Sequence, residues 1–266
     1  MGYYVMEELE KKRIVVKVGT STLTHATGKT NIARMAKLVS VLSDLKNEGH
    51  EVVLVSSGAV GIGAGKLGMA GKPSSTNGLQ ACAAVGQCEL MFLYDKLFSE
   101  YGVVVSQLLF TADTLEHETE KVHLTDTFNQ LLEYGSLPIV NENDSVSVDE
   151  LLNGDNDCLS ARVAKLIGAD LLIMLTDTDG LFTSNPAEDE NARLIDRVVE
   201  INEDIYSIAG GAGSKGTGGF ATKIKAASIA TGAGIPVIIM NGKKPTSIYK
   251  AMAGEQIGTY FEANSR

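Results

Sequence analysis

Six short apolar runs, separated by longer amphipathic stretches, constrain the fold of this 266-residue chain more than any other feature. Each run is rich in Val, Ile and Leu, which is typical of strands buried on both faces of a parallel sheet. The runs are RIVVKV at 13–18, EVVLVSS at 51–57, VVVSQLL at 103–109, LPIVN at 137–141, LLIML at 171–175 and IPVIIM at 235–240.

Amphipathic segments between these runs predict helices. From Ile32 to Leu45 apolar residues recur at helical spacing, and Gly49 is placed to end that helix. Strands that alternate with helices predict an α/β fold, an open and mostly parallel sheet sandwiched between helices. No linker divides the chain, so we expect a single domain with two lobes that share one sheet. Further helices are predicted after residue 76 and over 122–134, 157–167 and 220–231.

Composition excludes several classes of function. The formal net charge is −10 and no Lys/Arg-rich run is present, which argues against nucleic acid or an anionic membrane as a partner. The first thirteen residues have no apolar signal-peptide core, and no run approaches the roughly 18 apolar residues of a membrane span, so we expect a cytoplasmic protein. The four histidines do not have metal-binding spacing, and the three cysteines are predicted to be buried small side chains.

Polar residues follow the apolar runs, where ligands bind in open parallel sheets. Lys17 is the next-to-last residue of the first run, which leads into Gly19 and three hydroxyl residues. This pattern favours a phosphate contact over an edge strand with the lysine in solvent. The second run continues into SSGAVGIGAGKLG, whose glycines would let backbone N–H groups approach an anion. This segment also matches the G-x-G-x-x-G dinucleotide motif, but the match is not tight against its strand.

An acidic and amide-rich segment follows the fourth run, from Asn141 to Asp157. It fits three descriptions: a solvated acidic loop, a helix cap at Asp155 or Asn156, and a site for a ligand that carries both an ammonium and a carboxylate. The density of amides beside carboxylates favours the ligand site, because such a ligand needs donors and acceptors together.

Two further segments place polar residues or glycines after apolar runs. Thr176, Asp177 and Asp179 follow the fifth run and precede a glycine turn, and a turn alone would explain Asp179 and Gly180. Residues 210–219 are glycine-rich and are followed by Lys223 and Lys225 in the opening turns of a predicted helix. Flexibility alone could account for the glycines, but a lysine behind a glycine loop at a helix start is better explained as a phosphate clamp.

In this order, the segments resemble the amino acid kinase family, and within it the kinases that act on glutamate. The resemblance spans 14 to about 240, and NEND followed by GDND and GTGG-x-x-TK is more specific than any single glycine motif. It implies an αβα fold with a substrate lobe at about 1–169 and a nucleotide lobe at about 170–266. The motifs that carry it are VVKVGTSTL, VVLVSSGAVGIG, LPIVNENDSV, GDNDCLSARVA, LTDTDGLFTSNP and GTGGFATKIKAA.

The resemblance implies a role for each matching residue. Lys17 and Lys223 would contact the transferring phosphoryl group, and Asp157 would orient both lysines. Magnesium would be bound by the phosphate groups of ATP. The implied substrate-binding residues are Ser57, Asn141, Asp144, Asp155 and Asn156, and the implied ATP-binding residues are Lys17, Gly19, Thr176, Asp177, Thr217, Gly218, Gly219, Phe220, Ala221, Thr222 and Lys223.

The chemistry of a carboxylate acceptor agrees with these residue types. A glutamate side chain has a reference pKa near ~4.3, so it is ionised at neutral pH and needs no general base. The obstacle is repulsion between two anions, which lysines and magnesium would screen. Alternatives are a kinase for N-acetylglutamate, aspartate, carbamate or a nucleoside monophosphate, and a sensor without catalysis.

The resemblance also carries implications outside the site. It implies feedback inhibition by proline and assembly as a homo-oligomer, either a dimer or a tetramer. Many of these kinases continue into a C-terminal domain similar to RNA-modification modules, and we expect the present chain to be a form without it.

Overall fold

The structure is a computed structural model that describes residues 10–25, 29–146, 156–210 and 219–264. Within these residues, eight strands form one sheet in the order β3-β4-β2-β1-β5-β7-β8-β6. All neighbours pair in parallel except β7 and β8. The strands are β1 Arg13–Val18, β2 Glu51–Ser56, β3 Val105–Phe110, β4 Leu137–Glu142, β5 Leu171–Thr176, β6 Arg197–Val198, β7 Val237–Asn241 and β8 Thr259–Phe261.

Each of the six apolar runs forms a strand, which confirms the predicted parallel sheet. β1 lies between β2 and β5, and Lys17 near its end is 6% exposed, so the edge-strand interpretation of this lysine is wrong. The sequence did not predict β6 and β8, because strands of two and three residues are too short to show a periodic pattern.

Helices cover both faces of the sheet, and the five predicted helices are confirmed. Gly49, Gly135 and Gly168 follow three of them with positive φ angles of 100°, 74° and 61°. The helices are α1 Thr20–Leu23, α2 Ile32–Asn47, α3 Ala59–Lys66, α4 Thr76–Ser99, α5 Glu118–Glu133, α6 Asn156–Ile167, α7 Glu203–Ala209, α8 Phe220–Gly232 and α9 Ser247–Met252, with a 3₁₀ turn at Ala112–Leu115.

Two apolar cores lie on opposite faces of the sheet. Val15 belongs to the core that packs against α5, α6 and α8, whereas Ile14 and Val16 belong to the core under α2, α4 and α9. Because side chains alternate along a strand, Lys17 shares the face of Val15. The lysine therefore lies on the side of α6 and α8, the two helices that begin with Asn156 and Phe220.

The glycines after β2 do not have the predicted role of binding an anion. Gly63 and Gly65 lie inside α3, so the expectation of an anion-binding loop is wrong for them. A Cβ on Gly63 would lie 1.8 Å from the Cys82 carbonyl oxygen, and a Cβ on Gly86 would lie 1.7 Å from the Ala59 carbonyl oxygen. Gly63 and Gly86 let α3 and α4 pack backbone to backbone, whereas a Cβ on Gly65 would meet no atom within 4 Å.

The three cysteines differ in exposure. Cys82 and Cys158 are buried as expected, but Cys88 is exposed on the outer face of α4, where the prediction is wrong.

Over the described ranges, every helix is too short or too polar to cross a membrane.

Candidate active site

A buried carboxylate holds two lysines at the carboxyl edge of the sheet. Asp157 Oδ1 lies 2.6 Å from Lys17 Nζ, and Asp157 Oδ2 lies 3.1 Å from Lys223 Nζ. The Thr222 hydroxyl donates a further hydrogen bond to Asp157 Oδ2 at 2.9 Å. The side chains of the aspartate and both lysines are less than a tenth exposed. The structure thus brings together three residues that are far apart in the sequence.

Local structure explains why these side chains meet. Asp157 is in the first turn of α6, where the helix dipole favours a negative charge. Lys223 is in the first turn of α8, which packs beside α6 on the face that Lys17 shares. A cation at a helix start is unfavourable on its own, so Lys223 depends on Asp157. The face of β1 and the starts of two helices therefore define the cluster.

The protonation of this cluster follows from burial and pairing. Burial alone would raise the pKa of Asp157, but the ammonium groups of Lys17 and Lys223 outweigh it and lower that pKa to about 2. Burial lowers the pKa of Lys223, and the charge of Lys17 acts in the same direction, while Asp157 opposes both. Two cations and one anion leave a net charge of +1, which favours an anionic ligand at this edge of the sheet.

A chain of amide side chains forms the neighbouring part of the site. Asn156 Nδ2 donates to Ser57 Oγ at 3.0 Å and to Asn141 Oδ1 at 3.1 Å. Asn141 Oδ1 also accepts the Glu142 backbone N–H at 3.0 Å, which sets the orientation of the Asn141 amide. Its Nδ2 then donates to Gln87 Oε1 at 2.9 Å. Three of the predicted substrate residues are therefore linked to one another.

Gln87 is a site residue that the sequence analysis missed. Its Oε1 is occupied by Asn141, whereas its Nε2 is buried and has no hydrogen-bond partner among the described residues. A signal was present in the sequence, because Gln87 interrupts the apolar stripe of α4 formed by Ala83, Leu90 and Tyr94. An unpaired buried donor next to this network indicates a position for an acceptor atom of a ligand.

Asp144 follows β4 and lies in the same region of the chain as Asn141. It is 7% exposed, and its Oδ1 is buried without a hydrogen-bond partner in the described part of the chain. Burial raises the pKa of Asp144 to about 6, and the charge of Lys72 partly opposes that shift. A buried carboxylate without a partner is costly, so this group is suited to a cationic ligand.

Two of the predicted nucleotide residues, Thr176 and Asp177, lie at the end of β5, which neighbours β1 on the side away from β2. Thr176 ends β5, is buried and donates to Asp177 Oδ1 at 3.2 Å. A Cβ on Gly19 would lie 3.5 Å from Lys17 Nζ, so the backbone after β1 is close to the ammonium. A cleft of about 570 Å³ follows β5 along the chain and is lined by Thr178, residues 180–186, Glu188, the end of α7 and Phe220 at the start of α8.

The remaining predicted residues divide into two groups. Gly219 is the N-cap of α8, and Ala221 is exposed in its first turn. Asn156 is the first residue of α6, whereas Asp155, Thr217 and Gly218 lie outside the described residues. Within the described ranges, no group of three or more His, Cys, Asp or Glu side chains is arranged to hold a metal ion.

The fold and the site define an α/β kinase-like protein, and comparisons identify its family. The model of the amino acid kinase family matches residues 12–241, so the chain belongs to that family. It is 52% identical to a glutamate 5-kinase of Clostridium perfringens over 96% of both chains, and 53% identical to a glutamate 5-kinase of Clostridium acetobutylicum over 94% of both.

A solved structure agrees with the fold. The carbamate kinase from Giardia lamblia, bound to AMP-PNP, superimposes with a TM-score of 0.68 at 18% identity, over 95% of this chain and 99% of that one. At this identity the likeness shows the shared fold, and it confirms the predicted αβα architecture.

Proposed function

We propose that this protein transfers the γ-phosphoryl group of ATP to the side-chain carboxylate of L-glutamate, giving L-glutamyl 5-phosphate and ADP, the first step of proline biosynthesis. The observation that carries the proposal is the buried cluster in which one carboxylate, Asp157, holds both Lys17 and Lys223. The identity to glutamate 5-kinases over nearly the whole chain supports glutamate as the acceptor.

In this mechanism the lysines neutralise charge rather than move protons. The acceptor carboxylate is ionised at neutral pH and attacks phosphorus directly. Repulsion between this anion and the γ-phosphoryl oxygens is the main barrier, and two ammonium groups with a net local charge of +1 reduce it. Asp157 holds the two lysines on separate oxygens, so their spacing is set before the substrates bind.

ATP is proposed to bind on the side of β5 and α8. Lys17, Gly19, Thr176, Asp177 and the segment from Gly219 to Lys223 are the described residues in the predicted set, and the cleft beside Phe220 is large enough for part of a nucleotide. Magnesium would be held by the phosphates, where it neutralises charge on the leaving group. We infer a nucleotide lobe at about 170–266 and a substrate lobe at about 1–169, with Lys17 and Gly19 of the substrate lobe reaching the phosphates.

Glutamate is proposed to bind through Asp144, Ser57, Asn141 and Asn156, with Gln87 added from the structure. The unpaired Asp144 carboxylate suits the free ammonium of glutamate, whereas the acetylated amine of N-acetylglutamate has no charge to pair with it. The unpaired Gln87 Nε2 suits a carboxylate oxygen. The acceptor site therefore has an open carboxylate and an open hydrogen-bond donor, which suit an ammonium and a carboxylate oxygen.

A substrate panel tests the proposal. Purified protein is incubated with ATP, magnesium, hydroxylamine and one acceptor at a time, and the acyl phosphate is trapped as its hydroxamate. We expect product with L-glutamate and little with N-acetylglutamate, aspartate or carbamate. Turnover of N-acetylglutamate without turnover of glutamate would reassign the acceptor. Absence of ADP formation with every acceptor would favour a sensor on the same fold.

We also infer from the family resemblance that proline inhibits the enzyme, that the chain forms a homo-oligomer and that it acts in the cytoplasm. Inhibition is tested by measuring glutamate turnover at increasing proline concentration. The oligomeric state is tested by light scattering of the purified protein. Either result can be negative without affecting the proposed reaction.

A further inference from the structure

We propose that Lys72 binds the α-carboxylate of the acceptor amino acid and makes the site selective for α-amino acids. This assignment rests on the proposed function, because it concerns the same acceptor site. Lys72 lies between α3 and α4, in a segment to which neither the strand pattern nor the family motifs assign a role. The site needs a group for this carboxylate, since the side-chain carboxylate is the one that reacts.

The position of Lys72 brings its side chain to the carboxyl edge of the sheet. Its Cε lies 3.8 Å from where a Cβ of Gly61 would be, and the Thr20 methyl group lies at the same distance from that point. Thr20 follows Gly19 directly after β1, and Gly61 is in the first turn of α3, which begins after Ser57 and Gly58. The end of the Lys72 side chain therefore lies between the β1 turn and α3.

The free charge of Lys72 complements the free charge of Asp144. Lys72 is exposed and makes no ion pair within the described ranges, and Asp144 Oδ1 has no partner there either. The two groups are nevertheless close enough for the charge of Lys72 to lower the pKa of Asp144 against the effect of burial. An α-amino acid carries its ammonium and its carboxylate on one carbon, so its two binding groups must be neighbours with opposite charge.

Other nearby cations are already engaged. Lys17 and Lys223 are held by Asp157 at the proposed phosphoryl-transfer centre. The guanidinium of Arg34 donates to the backbone carbonyls of Ser21 and Thr22. Lys72 is thus the cation that remains to pair with an anion beside Asp144, among the residues that the structure describes.

The decisive experiment pairs a change in the protein with a change in the substrate. Lys72→Met removes the charge and keeps the length of the side chain. Isoglutamine, the α-amide of glutamate, keeps the reacting carboxylate and the ammonium but has no α-carboxylate. We measure kcat/KM for glutamate and for isoglutamine, or the inhibition constant of isoglutamine against glutamate where its turnover is too slow. Lys72→Arg tests rescue, and Lys96→Met, an exposed lysine of α4, is the charge-matched control.

We expect Lys72→Met to lower kcat/KM for glutamate about 10- to 100-fold, through KM, because one charge-assisted contact is lost. The values for isoglutamine and the KM for ATP should change less than about threefold, and Lys72→Arg should retain most of the activity. Equal losses with glutamate and isoglutamine, or no loss with glutamate, would overturn the assignment. If the unaltered enzyme fails to use glutamate, the proposed function itself is wrong; if it uses glutamate normally and Lys72→Met does too, only the role of Lys72 is wrong.

Discussion

The Asp157 cluster and the Asp144 region are two neighbouring parts of one site that satisfy their charges in opposite ways. In the cluster, both carboxylate oxygens are within 3.1 Å of a lysine ammonium, and the pKa of Asp157 is lowered to about 2. In the other region, Asp144 Oδ1 and Gln87 Nε2 are buried without partners among the described residues, and the pKa of Asp144 is raised to about 6.

This difference indicates what each region does before ligands arrive. A paired cluster keeps its geometry in the free protein, which suits groups that must stabilise a transition state without reorganising. Unpaired buried groups cost stability in the free protein and regain it when a ligand supplies the missing donor or acceptor. We therefore expect substitutions in the cluster to affect kcat and folding, and substitutions around Asp144 to affect the KM for glutamate.

The largest effect is expected for Asp157→Asn. Two buried lysines would lose their counter-charge, so turnover should fall by about a thousandfold and the free energy of unfolding by about 3 kcal/mol. Steady-state kinetics and urea denaturation measure the two losses. Asp126→Asn, on the exposed side of α5, removes the same charge and should change neither. Normal turnover of Asp157→Asn would show that the cluster is only structural.

Lys223→Ala comes next. It should lower kcat by at least about a hundredfold, or roughly 2.7 kcal/mol of transition-state stabilisation, because one of the two cations facing the phosphoryl group is removed. Lys225→Ala on the same helix is exposed and serves as the control. If Lys223→Ala changed only the KM for glutamate, Lys223 would belong to the acceptor region. The expected difference between the Asp157 cluster, which affects kcat, and the Asp144 region, which affects KM, would then not hold.

Asp144→Asn should raise the KM for glutamate about 10- to 100-fold and leave the KM for ATP nearly unchanged. The pH dependence gives an independent check. Because the pKa of Asp144 is raised to about 6, the carboxyl group becomes neutral below that pH, and kcat/KM for glutamate should fall as the pH decreases through 6. In Asp144→Asn this decline should disappear. A decline that persists would assign the titration to another group.

The smallest effect is expected for Gln87→Glu. The new carboxylate still accepts the hydrogen bond from Asn141 but offers no donor, so the KM for glutamate should rise about fivefold to tenfold while kcat changes little. Gln130→Glu on exposed α5 matches the change in charge. If the substituted enzyme unfolds more easily but binds glutamate normally, Gln87 belongs to the fold rather than to the site.

How far the sequence predicted this site depended on the kind of signal. Lys17 and Lys223 were predicted because each occupies an anomalous position, a positive charge near the end of a buried strand or at a helix start, whereas the role of Asp157 was implied by the family resemblance. Gln87 was missed because one polar residue in a 24-residue helix resembles ordinary surface variation. Gly63 of α3 was misread because a helix contact and an anion-binding loop favour the same residue, since both require close approach of backbone.

The alternation of apolar runs and amphipathic segments was enough to predict the parallel sheet, its helices and the edge where ligands bind, because burial on both faces of a strand leaves a local pattern. Tertiary structure alone decided which residues share a pocket. Asp157 meets Lys17 only because β1 is central and odd-numbered residues on that strand face α6, and Gln87 of α4 meets Asn141 of β4 across 54 positions of the chain. Because such contacts join residues that are far apart in the chain, local sequence patterns do not predict them.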